Sequence, residues 1–168
     1  MKILLALIVC SLNVAWATEF KIAQPQAEYT VSHLVKTVKG VSKEMKGKMV
    51  CNDGQCQFLV AIPAKSFVSS DSNRDSNLQT VLEVAQYPLI TVKGSLAEAD
   101  LQKEKFEVPA KVLFHGIEKD YTLSIEKKNG FTGMLTLRLE DHKVERPSLL
   151  TVSIKNEVPV NFSLNWVE

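Results

Sequence analysis

Ser69-Ser70-Asp71-Ser72-Asn73-Arg74-Asp75-Ser76-Asn77-Leu78-Gln79-Thr80-Val81-Leu82-Glu83-Val84-Ala85-Gln86-Tyr87-Pro88 is a polar insert in a 168-residue chain that otherwise reads as strand after strand. Leu78, Val81, Leu82 and Ala85 recur at helical spacing, Ser72 or Asn73 can cap the start, and Asp75 suits the positive end of the helix dipole. Tyr87-Pro88 stops the segment. The pattern predicts a short helix over 73–85 whose apolar stripe must cover something, and the open mouth of a barrel is the natural candidate.

On either side of the insert the period changes from helical to two. Tyr29, Val31, His33 and Val35 share one face, as do Phe58, Val60 and Ile62, then Val108, Ala110, Val112 and Phe114. Tyr121, Leu123 and Ile125 follow, then Leu135, Leu137 and Leu139. The last run alternates most cleanly, with Val158, Val160, Phe162, Leu164 and Trp166 set against Asn161, Ser163 and Asn165. Asp53-Gly54, Gly116 with Glu118 to Asp120, Asn129-Gly130 and Pro147 supply turn chemistry between runs. Roughly eight or nine strands with hairpin links and one apolar face predict a single antiparallel sheet closed on itself, because closure removes edges that would otherwise aggregate. The interior of such a barrel is filled by side chains or holds one ligand. The inward residues, mostly Val, Leu and Ile with Ala110 and few aromatics, suit either outcome.

Met1-Lys2, the apolar run Ile3 to Leu12 and Ala15-Trp16-Ala17 have the form of a cleavable export leader, which places the mature domain at 18–168. The run is shorter than the roughly 20 residues a membrane helix needs, and Val9 before Cys10 lacks the small side chain that lipid attachment wants. Loss of Lys2 with the leader takes 20 basic and 19 acidic residues to 19 of each. A balanced charge gives no general attraction to phosphate backbones or to an anionic bilayer. Nucleic acid and surface-wide membrane docking are therefore poor partner assignments, and periplasmic residence, or secretion, is the expected location.

Cys51 and Cys56 flank Asp53-Gly54, a strong hairpin signal, so they face each other across the turn. Opposed residues lie roughly 4.5–5.5 Å apart at Cα, within disulfide reach, and an exported protein meets an oxidising compartment. A structural disulfide is the reading; a redox or metal pair would want closer Cys-x-x-Cys spacing.

No nucleophile elbow, phosphate loop, dinucleotide fingerprint or zinc-type histidine motif occurs, and neither catalytic residues nor metal ligands are assigned. His33 either meets a ligand head group or is satisfied within the core. Arg74 and Asp75 either clamp a head group at the barrel mouth or serve the helix. His115 reads as a turn residue, and His142, inside Glu140-Asp141-His142-Lys143, as a solvated loop residue.

Arg74-Asp75, Leu78 and Tyr87-Pro88, with His33 upstream and His115-Gly116-Ile117 and Lys119 downstream, resemble the motifs of the YceI-like family of exported, lipocalin-like proteins. The stretch Arg138 to Leu150 is similar to a segment in one branch of that family. The resemblance implies an all-β fold, a closed antiparallel eight-stranded barrel with a short helical insert, enclosing a long apolar pore. It also implies a non-catalytic carrier for an isoprenoid-type or other long-chain amphiphilic lipid, with no cofactor apart from a bound isoprenoid quinone or polyprenyl lipid. A packed-core stress-response or structural interaction protein is the alternative. Tyr29, Val31 and Met45 stand where many members carry phenylalanine, and the Cys51–Cys56 hairpin is not part of the general pattern. The candidate ligand-binding set is Val31, His33, Val35, Phe58, Val60, Ile62, Arg74, Asp75, Leu78, Ala110, Val112, Phe114, Leu123, Ile125, Leu137, Phe162 and Leu164.

Overall fold

A computed structural model describes residues 17–32, 37–149 and 152–168. The leader expected over 1–17 falls outside these residues except for its last position, and so do His33 and Val35. Along the chain run β1 (Thr18–Ser32), β2 (Thr37–Ser42), β3 (Lys46–Asn52), β4 (Gln55–Pro63), the helix α1 (Ser72–Val81), β5 (Leu89–Ala97) and β6 (Lys105–Phe114). They are followed by β7 (Ile117–Lys127), β8 (Phe131–Arg138), the two-residue strands β9 (Ser148–Leu149) and β10 (Val152–Ser153), and β11 (Glu157–Val167).

Every pairing is antiparallel, in the order β11-β8-β7-β6-β5-β4-β3-β1, and β1 pairs with β11 to close the ring. This is a closed eight-stranded barrel with one additional strand, β2. Thr18–Lys21 of β1 face Cys51–Lys48, and Ala27–Ser32 face Ser42–Thr37. The register is the same in both stretches, so β2 and β3 act as two pieces of one strand interrupted at 43–45. Opposite that break, β1 bulges between Ala23 and Gln26, where Gln24 takes a φ of 50°. Pro25 follows it and has no N–H to give the ladder.

Alternation explains the burial. In β6, Val108, Ala110, Val112 and Phe114 are buried while Glu107, Pro109 and Lys111 are exposed. Pro109 also marks where β5 and β6 part, since their pairing runs from Thr91↔Leu113 to Gly94↔Ala110 and goes no further. Between the end of β5 and the start of β6 the chain makes a 3₁₀ turn over Glu98–Gln102. At the tip of the β3–β4 hairpin, Cys51 and Cys56 are directly opposed and joined by a disulfide, with Cα atoms 4.0 Å apart.

The helix differs in extent from the sequence expectation. It starts one residue earlier, capped by Asp71, whose Oδ1 accepts the N–H groups of Asn73 at 3.0 Å and Arg74 at 3.2 Å. It stops at Val81 instead of Ala85 because Glu83 turns left-handed at φ 46°. The N–H of Val84 then reaches the carbonyl of Gln79, and that of Glu83 reaches Thr80, the paired bonds of a Schellman stop.

Candidate functional site: an apolar lumen

Inside the ring lies a cavity of about 190 Å³. Its wall is built from the inward face of successive strands: Val31 from β1, Phe58, Val60 and Ile62 from β4, Val112 and Phe114 from β6, and Leu123 and Ile125 from β7. Leu137 from β8 and Phe162 and Leu164 from β11 complete the sequence-derived set that touches it. Leu78 and Val81 arrive from α1 and Leu82 from its C-cap, so three residues of the expected apolar stripe face the lumen, while Ala85, the fourth, is exposed beyond the helix end. Glu145 is the single charged residue among the described residues of the lining.

Three candidates stand elsewhere. Ala110 is buried in the same core but its methyl does not reach the cavity, being shorter than its inward neighbours Val108 and Val112, which do. Arg74 and Asp75 do not touch the lumen; they fasten the start of the helix. Arg74 lies 3.5 Å from the capping carboxylate of Asp71, and Asp75 Oδ1 accepts the Ser69 N–H at 2.9 Å. Their charges are still felt by Tyr29, whose phenol lies on the cavity wall. Burial, and then the Asp75 carboxylate, push its pKa up, while the Arg74 guanidinium opposes them.

Aromatic rings are concentrated on the lumen, which corrects the expectation of few. Tyr29, Phe58, Phe67, Phe106, Phe114, Phe131, Phe162 and Trp166 all line it. Phe106 and Phe131 extend the alternation of Val108 and Leu135 by one or two steps toward the strand starts, so period two carried enough signal to find them. Phe67 and Glu145 sit in irregular segments outside the strands, where no period points inward.

Of the family-like motif residues, Tyr87, His115 and Gly116 pack together at the end of the barrel that carries α1. His115 and Gly116 take φ values of 48° and 73°, forming a tight turn between β6 and β7. The Tyr87 ring lies against His115, with centroids 4.5 Å apart, and directly over Gly116, where a Cβ would come within 2.6 Å of it. His115 Nε2 lies 3.6 Å from the Glu83 carboxylate at the helix stop. The motif thus fastens the helical insert to the barrel end.

His142 contradicts the sequence reading of a solvated loop residue: it is 0 % exposed. Its Nδ1 lies 3.1 Å from the Phe114 carbonyl and 3.0 Å from that of Ile117, and its Nε2 lies 2.8 Å from the Tyr121 hydroxyl. Two carbonyls can only accept, so Nδ1 carries the proton and Nε2 accepts from Tyr121. Burial holds the imidazole below its ordinary pKa, and the positive Lys119 adds to this against the stabilising carbonyls and Asp141. His142 also accepts from His115 Nδ1 through its own carbonyl at 3.1 Å. The buried side chain bridges the β6–β7 turn to the Glu140–His142 turn, which is followed by the lumen residues Val144 and Glu145. Nothing in the polar string Glu140 to Lys143 announces this, because the partners are carbonyls distant in sequence.

Among the described residues, no group of histidine, cysteine and carboxylate side chains is arranged to hold a metal ion, and no helix is long and apolar enough to cross a membrane.

Solved structures share this architecture. BcnA of Burkholderia cenocepacia superposes with a TM-score of 0.71 at 17 % identity, covering 86 % of this chain and 96 % of its own. A polyisoprenoid-binding domain from Saccharophagus degradans, implicated in plant cell wall breakdown, gives 0.67 at 15 % identity over 88 % and 97 %. The YceI protein of Campylobacter jejuni gives 0.62 at 19 % identity over 82 % and 90 %. At such identities the likeness establishes the fold alone. No curated protein matches the chain. The model of the YceI-like domain matches residues 19–166, nearly the whole of the described barrel, and the chain belongs to the YceI-like family.

Proposed function

We propose that this protein is a non-catalytic carrier that holds the tail of an isoprenoid-type or other long-chain amphiphilic lipid inside its barrel, in the periplasm or another exported compartment. The apolar lumen carries this reading. A dry apolar cavity of about 150 Å³ takes up benzene, so about 190 Å³ accommodates on the order of eight carbon atoms before any side chain moves. Burying that many methylene equivalents contributes roughly 6 kcal/mol gross, at about 0.8 kcal/mol each, against the cost of association. A longer tail binds more tightly only as flexible lining residues such as Met45 and Met49 yield space. The polyisoprenoid-binding relative supports an isoprenoid tail, and the leader pattern with the Cys51–Cys56 disulfide supports an oxidising exported compartment. A carboxylate at Glu145, with no partnered nucleophile among the described lining residues, supports binding over catalysis.

Purification under native conditions followed by solvent extraction and mass spectrometry tests the proposal. Co-purifying lipid, or uptake of prenyl quinones or fatty amphiphiles by emptied protein, is expected. Protein that is always empty and takes up neither overturns it. The modest cavity volume favours, as the second reading, a structural interaction protein whose interior closes around no ligand.

A further inference from the structure

Three aromatic residues on the lumen wall are each paired across the sheet with a glycine: Tyr29 with Gly40, Phe58 with Gly94 and Phe162 with Gly133. Directly opposed residues of an antiparallel pair point to the same side of the sheet, so each glycine stands where an inward side chain would otherwise be. A Cβ at Gly94 would lie 2.7 Å from the Pro109 carbonyl oxygen and 2.8 Å from Phe58 Cζ, and one at Gly133 would lie 2.9 Å from Phe162 Cε1. At Gly40 the nearest atoms all belong to the Tyr29 ring, including Cζ at 2.5 Å and the hydroxyl at 2.6 Å. Real Cβ atoms do not approach so closely. Each ring therefore extends sideways over the neighbouring strand, where the missing side chain lets it lie along the wall instead of across the axis.

We propose that these aromatic–glycine pairs determine the bore of the lumen and select for thick, methyl-branched prenyl tails over thin unbranched ones. The inference rests on the lipid-carrier reading and specifies its ligand. A methyl group on any of the glycines occupies the place of the ring, which must turn toward the axis and narrow the passage. An unbranched alkyl chain threads a narrower passage than a tail studded with methyl branches and stiffened by trisubstituted double bonds. The three pairs lie on different strands, β1–β2, β4–β5 and β8–β11, so the wall is kept thin on several sides of the barrel.

The test compares geranylgeraniol with hexadecanol, alcohols of equal main-chain length that differ in methyl branching and unsaturation. Each is loaded into the full barrel and quantified by native mass spectrometry. Gly40→Ala, whose added methyl meets the Tyr29 side chain first, and Gly133→Ala are expected to lower the ratio of geranylgeraniol to hexadecanol uptake by roughly tenfold, the scale of one methylene in an apolar pocket. Gly133→Ala also crowds the Ser124 carbonyl, at 2.8 Å. The double variant Gly133→Ala/Phe162→Leu, which frees the space the ring must enter, is expected to return the ratio to the wild-type value. If Gly133→Ala fails to fold, Gly40→Ala decides alone. Wild-type protein that takes up both alcohols, with the same ratio in folded Gly40→Ala, overturns the bore assignment and leaves the carrier reading standing. Wild-type protein that takes up neither alcohol, nor any prenyl quinone, overturns the carrier reading itself.

Discussion

Acid should loosen this barrel through His142. In the native state the imidazole is buried and neutral, its pKa held down foremost by desolvation, with Nδ1–H given to the Phe114 and Ile117 carbonyls and Nε2 occupied by the Tyr121 hydroxyl. In the unfolded chain it titrates near the ordinary histidine value of about 6.5. Below that pH the unfolded state binds a proton that the folded state does not, so stability is full above about 6.5 and falls as the pH drops toward the lowered native value. If the native group stays neutral throughout, this one residue removes up to about 1.4 kcal/mol by pH 5.5. His142→Gln keeps a donor and an acceptor in the pocket but cannot titrate. We expect it to cost about 1–2 kcal/mol at pH 8 through imperfect hydrogen bonding, and to flatten the difference between pH 8 and pH 5.5. Urea unfolding followed by tryptophan fluorescence at a series of pH values measures both effects. Parallel pH profiles for wild type and variant, or a wild type that gains stability on acidification, refute the assignment of a buried neutral imidazole.

Other expectations are simpler to read. Replacing both Cys51 and Cys56 with serine should lower stability by on the order of 2 kcal/mol, the chain-entropy value for so short a loop. Lipid uptake should not change, because neither cysteine is among the described lumen-lining residues; a thermal melt with and without reductant checks the first part and native mass spectrometry the second. Asp71→Ala removes the acceptor for two helix N–H groups and should cost about 1 kcal/mol, with hydrogen exchange accelerated in α1 before the strands. Ala110→Leu lengthens an inward side chain whose methyl stops short of the cavity, and Val112→Phe enlarges one that already lines it; both should lose tail uptake while the far-ultraviolet circular dichroism stays that of a folded barrel.

The alternation from Val158 to Trp166, and its counterparts from Val108 to Phe114 and Leu135 to Leu139, was enough to specify strands with one apolar face, because side-chain direction in a strand depends only on parity, and the short links between runs made the sheet antiparallel. The turn at Asp53-Gly54 fixed the pairing of Cys51 with Cys56, since hairpin register is a local property. The helical insert was equally legible, although its end at Glu83 was not, because a left-handed glutamate gives no compositional sign. Tertiary structure alone decided the rest. Closure of β1 on β11 joins residues from opposite ends of the chain, such as Ile22 and Trp166. Burial of His142 depends on the Phe114 and Ile117 carbonyls, on either side of a turn distant in sequence, accepting its Nδ1–H. The open lumen follows from glycines and aromatics meeting across strands: parity tells which way a side chain points, but only register tells what it lies against, and that contact decides whether a ring fills the axis or lines it.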